Sequence, residues 1–261
     1  MQGGTKVPSQ YGSSFLDTIS MKTRFLWRAF RARFRDQSVE LKAIQRRIQP
    51  GDVVCDIGAN KGSYLFWLSR WVGHGKVFAF EPQERLAAYL RTMCGALNLA
   101  NVTVEQKAVY SKSCDLVLHI PGDRLDSPGA SVNEKISQTE ACRSVTIPAI
   151  SLDDYFSPET RISVLKIDVE GAERSVFEGA ERILREHAPL LVFECENRHL
   201  DSGSVFDIFE HLKRFGYRGE FICRHTKLPL DRFNPDLHQR QVGARFWDQK
   251  DYCNNFIFSA R

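Results

Sequence analysis

From Val53 onward, short apolar runs alternate with stretches of helical spacing. Residues 53–57, 76–82, 101–105, 162–169, 189–193, 217–222 and 255–258 are rich in β-branched and aromatic residues and predict strands. Between them, Tyr64, Leu65, Leu68 and Trp71 recur with a helical period. So do Leu86, Tyr89, Leu90, Met93 and Leu97, and later Val205, Ile208, Phe209 and Leu212 before Gly216. A shorter helix is expected over 172–180. Strands that alternate with helices predict an α/β fold around a mostly parallel sheet. Residues 115–120 and 144–150 read as two further strands. They flank a polar loop, 121–142, with two Pro-Gly pairs. A loop that long in a compact domain is functional or disordered. Ser127, Ser131 and Asn133 in it could hydrogen-bond a hydroxylated ligand, or simply face water.

Before the first strand the pattern changes. Residues 1–10 read as loose polar chain. Over 14–35, Phe15, Ile19, Leu26, Phe30 and Phe34 fall near one helical face, joined by Leu16 and Trp27, with Arg24, Arg28, Arg31 and Arg35 largely elsewhere. Ser38 could cap a second helix with Leu41, Ile44 and Ile48 inward, ended by Pro50-Gly51. The expectation is a helical extension, 1–50, packed on the domain that follows, 51–261, and roofing its cleft. An interfacial membrane helix, aromatics down and arginines at the headgroups, is the alternative.

Asp56-Ile57-Gly58-Ala59-Asn60-Lys61-Gly62 joins the first strand to its helix. A tight turn of small residues lets a ligand approach the backbone, and free N–H groups at a helix start favour electron-rich groups. The dinucleotide fingerprint G-x-G-x-x-G is not met, because the glycines fall as G-x-N-x-G. Asn60 can hold the left-handed conformation of a middle glycine. Asp56, two residues before Gly58, would repel a pyrophosphate and suit an ammonium group. S-adenosylmethionine carries an ammonium and a sulfonium and no phosphate. Glu81 ends the second strand, where an acid takes ribose hydroxyls. That role fits S-adenosylmethionine and NAD alike.

DIGANKG, FEP, SVLKIDVEGAE and PLLVFECEN together resemble the FkbM family of S-adenosylmethionine-dependent methyltransferases, over roughly 51–217. The resemblance implies a Rossmann-like class I methyltransferase fold, with a seven-stranded, mostly parallel sheet and an antiparallel last strand. It implies O-methylation of a sugar, glycan or secondary-metabolite hydroxyl. In such a fold the adenine lies after the third strand, which puts Gln106 and the backbone of Ala108 beside it, with Gly58, Asn60 and Gly62 under the rest of the cofactor.

Side chains alternate along 162–169, so Lys166 and Asp168 share a face. Glu170 joins them if the strand stays extended. Burying such a pair costs several kcal/mol, by order of magnitude, unless it is paired or hydrated. Glu194 and Glu196 share a face of the neighbouring strand, so these acids and Lys166 should converge where open α/β sheets bind ligands. Methyl transfer to a hydroxyl needs an oriented acceptor and a base. Asp168 is the first candidate for base or acceptor anchor and Glu194 the second. Lys166 would orient a carboxylate and stabilise alkoxide charge. The same acids could hold Mg²⁺, although Lys166 would compete with it. His199 reads as a surface histidine that could serve as base, and Phe246 and Trp247 as packing residues that could line an acceptor pocket.

Charge separates the two parts. Residues 1–50 carry ten Lys/Arg against three Asp/Glu, a balance of +7, while the whole chain is +4, leaving −3 for the rest. A nucleic-acid enzyme would carry its basic face at the site, so a small-molecule or carbohydrate acceptor is expected. Seven scattered cysteines without a CxxC pair point away from zinc and towards a reducing cytoplasm. No apolar run is long enough to span a bilayer. Two other readings keep this fold: an NAD-binding Rossmann oxidoreductase, and a nucleoside-binding module without catalysis.

Overall fold

The computed structural model describes residues 15–122, 126–134, 141–200 and 202–260, with side chains from Thr18 onward. The polar segment 1–10, the side chains of Phe15 and Leu16, and 123–125 and 135–140 of the polar loop lie outside the described residues.

The strands are β1 (Val53–Ile57), β2 (Lys76–Phe80), β3 (Val102–Glu105), β4 (Ala108–Val109), β5 (Cys114–Pro121), β6 (Cys142–Ile150), β7 (Ile162–Ile167), β8 (Leu190–Glu194), β9 (Tyr217–Cys223), β10 (Thr226–Pro229) and β11 (Asn255–Ala260). The helices are α1 (Phe15–Arg31), α2 (Ser38–Arg47), α3 (Leu65–Trp71), α4 (Glu84–Ala96), α5 (Leu152–Tyr155), α6 (Glu173–Glu178), α7 (Glu181–Glu186), α8 (Val205–Lys213) and α9 (Pro235–His238).

The main sheet runs β10-β9-β11-β8-β7-β1-β2-β3. Its β8-β7-β1-β2-β3 portion is parallel, and β11 inserts antiparallel between β8 and β9. The expected mostly parallel sheet with an antiparallel last strand is therefore present. It is lengthened by β10, which folds back on β9 through Arg224 and His225, both at positive φ. Strand β6 pairs with β5 on one side and β4 on the other in a separate three-stranded sheet, which carries the polar loop over the carboxyl ends of β1 and β2.

Two apolar layers sandwich the main sheet. One joins Leu165, Phe193, Phe256 and Phe258 to α6, α7 and α8, where Ser204 and Asp207 form a capping box. The other joins Val54, Val77 and Val164 to α1–α4, so the N-terminal helices share this core. Leu41 and Ile44 of α2, and Ile48 just after it, are buried as expected, but Gln37 rather than Ser38 stands at its N-cap. The α1 face differs from the sequence expectation. Phe25, Ala29 and Ala32 are the buried residues, while Ile19, Trp27, Phe30 and Phe34 are exposed. The cause is Gly62: a Cβ there would lie 2.7 Å from the Phe25 ring and 2.8 Å from Leu90, so the missing side chain admits Phe25 between α3 and α4.

Candidate functional site

The carboxyl ends of β1, β2, β7 and β8 open into one cleft with a cavity volume of about 140 Å³. Gly58, Asn60, Glu81, Ala108, Asp168, Glu170 and Glu194 line it, with Phe80, Val109 and Leu118 as apolar wall.

The turn after β1 sets its floor. Gly58 and Ala59 donate backbone hydrogen bonds to Phe80 O, at 2.9 and 3.1 Å, and Asp168 N donates to Ile57 O at 3.0 Å. A Cβ on Gly58 would lie 1.7 Å from Asp168 O, and Gly58 has a φ of +74°, so only glycine fits between β1 and the exit of β7. Asn60 takes a φ of +47°, the left-handed state expected of it. Its N–H then points at Glu81.

Glu81 is 2% exposed. Its Oε2 accepts from Asn60 N at 2.7 Å and its Oε1 from Gln83 N at 2.9 Å. Burial raises its pKa to about 7, although both backbone bonds act in the opposite direction. Each oxygen keeps a lone pair for a ligand hydroxyl.

Asp56 sits behind this wall and does not line the cleft. It is 1% exposed and registers opposite Lys166 on β7, whose Nζ lies 3.3 Å from its Oδ1. Among the described residues no group donates a hydrogen bond to either Asp56 oxygen. Lys166 Nζ also lies 3.5 Å from Asp168 Oδ2, donates to Gly58 O at 3.4 Å, and stands over the Tyr64 ring at 5.2 Å. Burial opposes its charge, but Asp56 and Asp168 outweigh burial and hold its pKa up. One ammonium thus joins an inner acid to an outer acid. Only the outer one, Asp168, reaches the cleft.

The Glu170 expectation is corrected in its route. The strand ends at Ile167, and Glu170 adopts a φ of +52°, so strand alternation does not carry it to the face of Lys166. It reaches the cleft by a left-handed turn whose next residue, Gly171, is packed against His199 O. Glu170 Oε2 lies 2.9 Å from His199 Nδ1. His199 is therefore partly buried and paired, not a surface residue. Burial disfavours its charge, the Glu170 bond outweighs burial, and its pKa is raised.

Glu194 faces the cleft and accepts from Asn254 Nδ2 at 2.6 Å. Burial, then Asp168, Glu170 and Glu196, lift its pKa well above the ordinary value. Glu196 shares Asn254 at 3.0 Å and also accepts from Arg198 and Tyr252, away from the cleft lining. Those bonds outweigh burial and lower its pKa.

Ser131 and Asn133 serve the fold rather than presenting free polar groups. Ser131 Oγ donates to Glu170 O and accepts from Asn133 N at 3.1 Å, while Asn133 Nδ2 donates to His199 O. Gln83 clasps Ser127 through two hydrogen bonds of 2.9 Å. The polar loop is thereby tied across the cleft. Ala108 lines the cavity, with Lys107 beside it, and Gln106 does not. Gly62 packs against α1 and α4 instead of the cleft. Trp247 is exposed, and Phe246 packs edge-on to Trp247 and tilted against Tyr252, away from the cleft. Sequence reasoning missed Gln83 and Lys107: only the partner loop or the cavity shows what they reach. Among the described residues, no group of three or more His, Cys, Asp or Glu is disposed to hold a metal ion, and no helix is long and apolar enough to cross a membrane.

Residues 56–218 match the family model described as the methyltransferase FkbM domain. The 2-O-methyltransferase NoeI of Sinorhizobium fredii (strain NBRC 101917 / NGR234) is 25% identical over 237 residues, covering 80% of this chain and 95% of its own length. Among solved structures, the methyltransferase FkbM of Methylobacillus flagellatus KT is 15% identical, with a TM-score of 0.48, and the match covers 92% of this chain and 54% of that one. The SAM-dependent O-methyltransferase of Thermotoga maritima is 16% identical, with a TM-score of 0.46, covering 86% of this chain and 64% of that one. The chain thus spans about half the length of the Methylobacillus protein.

Proposed function

The chain belongs to the FkbM methyltransferase family, and as an S-adenosylmethionine-dependent methyltransferase of that family, we propose, it methylates a hydroxyl of a sugar, glycan or secondary metabolite. The observation that carries this reading is the charge of the cleft. Four acids, Glu81, Asp168, Glu170 and Glu194, line it against one cation, Lys107, among the described residues, so the wall stays acidic with Glu194 protonated. Such a wall favours a ligand carrying sulfonium and ammonium charge and disfavours the pyrophosphate of NAD and the phosphates of RNA.

S-adenosylmethionine fits the donor set. Glu81, held by the N–H groups of Asn60 and Gln83, would take the ribose hydroxyls. Ala108, Val109 and Leu118 offer an apolar slot for the adenine. Asp168 would face the positively charged end, with Asp56 behind it as counter-ion of Lys166. When bound, the cofactor supplies a methyl carbon made electrophilic by its sulfonium.

The remaining work falls to the chain. Asp168 accepts the hydroxyl proton of the acceptor. It is the acid of the Lys166 pair that reaches the cleft. Lys166 fixes its carboxylate and limits the charge that builds on the oxygen. Glu194, whose raised pKa favours the protonated form, donates a hydrogen bond to the acceptor. The clasped loop at Ser127 and Ser131 excludes water. The 2-O-methyltransferase activity named for the Sinorhizobium relative supports a hydroxyl oxygen as the acceptor. Seven free cysteines support a reducing cytoplasm.

Transfer of labelled methyl from S-adenosylmethionine to a panel of saccharides and polyols tests this reading. Wild type should label an acceptor oxygen. Asp168→Asn should lower kcat by about 100-fold or more while binding S-adenosylhomocysteine within a few-fold of wild type. Full turnover in Asp168→Asn removes it as the base.

A further inference from the structure

Helix α1 has two apolar faces. Phe25, Ala29 and Ala32 are buried against α3 and α4. On the other side Ile19, Trp27, Phe30 and Phe34 are 44, 58, 45 and 67% exposed. At 3.6 residues per turn, Ile19, Trp27 and Phe30 fall within about 80° of arc. Phe34, on the π-helical turn Ala32–Asp36, continues the row, its ring 5.9 Å from that of Phe30. The exposed row is not loose. Phe30 packs edge-on to Trp67 of α3 at 5.0 Å, Phe34 packs on Trp67 at 5.8 Å, and Trp67 stacks on Trp71 at 6.0 Å. Trp67 Nε1 donates to Ala29 O at 2.7 Å, which fixes the ridge to the domain.

Arginines edge this ridge. Arg31 lies over the Trp27 ring at 5.0 Å, Arg33 over Phe34 at 5.5 Å and over Trp71 at 5.6 Å, and Arg70 over Phe66 at 4.4 Å. Arg24 and Arg28 follow on the same helix and line a groove with Lys61, Arg85 and Asp126. Residues 1–50 carry a charge of +7 while the rest of the chain carries −3. Among the described residues, Asp36, paired with Arg31 and Arg35, and Asp126 are acids on this surface.

A rigid aromatic ridge exposed to solvent marks an interaction surface. Ring faces beside arginines are the arrangement that settles at a bilayer interface, with the rings among the acyl ends of the headgroups and the guanidinium groups at the phosphates. We propose that α1 and α3 form a docking surface for an anionic lipid bilayer, with Trp27, Phe30 and Phe34 inserted and Arg24, Arg31, Arg33 and Arg70 at the headgroups. The helices do not span the bilayer. They hold the methyltransferase at it.

The test is co-sedimentation of the full chain with vesicles of phosphatidylcholine alone and of phosphatidylcholine with phosphatidylglycerol. Wild type should sediment with the anionic vesicles, more weakly as salt is raised, and should show a blue shift of tryptophan emission. Trp27→Ala with Phe34→Ala, both at exposed positions, should weaken binding at least about tenfold. Its melting midpoint and S-adenosylhomocysteine affinity should stay at wild-type values. No sedimentation of wild type with anionic vesicles overturns the proposal. So does undiminished binding by the double variant. A stable dimer in solution that the double variant dissociates also overturns it, because the ridge would then be a face between copies of this chain.

Discussion

Replacing Glu81 with glutamine isolates the group on which cofactor binding depends. In the free protein both carboxylate oxygens accept backbone N–H groups, from Asn60 at 2.7 Å and Gln83 at 2.9 Å. The amide of Gln keeps one acceptor and presents an NH₂ to the other N–H, so one buried bond is lost, at a cost of about 1–3 kcal/mol. Bonds from ribose hydroxyls to a charged acceptor contribute about 1.5–3 kcal/mol. At pH 8, Glu81→Gln should therefore bind S-adenosylhomocysteine about 10–150-fold more weakly. The difference should depend on pH. Burial lifts the Glu81 pKa from 4.5 to about 7, so near pH 5.5 wild type holds a neutral acid and should exceed the variant by only a few-fold. Wild-type affinity should rise with pH and level off above about 7, while the variant loses that rise. Stability carries the opposite sign. The folded state binds the proton more tightly than the unfolded chain, so ionising Glu81 destabilises the free protein as pH climbs from 4.5 to about 7, by at most about 3 kcal/mol. The variant should lose this part of the pH dependence. Calorimetric titration from pH 5.5 to 8.5 on both proteins measures the effect. Equal affinities and parallel pH profiles would refute the assignment of Glu81 to the ribose.

Lys166→Met should destabilise the protein by about 3–5 kcal/mol, because Asp56 is left buried without a counter-ion. Adding Asp56→Asn should recover much of the loss in denaturant titrations, and no recovery would contradict the pairing. Gly58→Ala forces a Cβ to 1.7 Å from Asp168 O at a φ of +74°. About 2–5 kcal/mol of strain and displacement is expected, with cofactor affinity falling alongside stability; unchanged melting would show that the turn yields freely. Ser131→Ala should cost about 1 kcal/mol of stability and raise the KM for the acceptor more than it lowers kcat, because the loop loses its hold on Glu170 O.

Much of the site was legible because parallel strands buried on both faces are near-continuous apolar runs. The acids ending β1, β2 and β8 stand out against Val53–Ile57, Lys76–Phe80 and Leu190–Glu194. The same pattern fixed the sharing of a face by Lys166 and Asp168, and the G-x-N-x-G spacing anticipated the positive φ of Asn60. What the pattern lacks is register between strands. Asp56 and Lys166 are opposite one another only once β1 pairs with β7, and that pairing withdraws Asp56 from the cleft. Turns were also hidden: Glu170 is neither Gly nor Asn, yet it takes a left-handed φ because Gly171 must pass under His199 O. On α1 the periodicity found the apolar residues but could not choose between two faces. The choice was made by small residues, Ala29, Ala32 and the distant Gly62, which let Phe25 in.

The most direct test of the account is a crystal structure of the protein with S-adenosylhomocysteine. The ribose hydroxyls should lie on Glu81, the adenine beside Ala108 and Val109, and the sulfur should face the space bounded by Asp168 and Glu194. A ligand turned away from Glu81, or a cleft that its own side chains fill at saturating ligand, would contradict it.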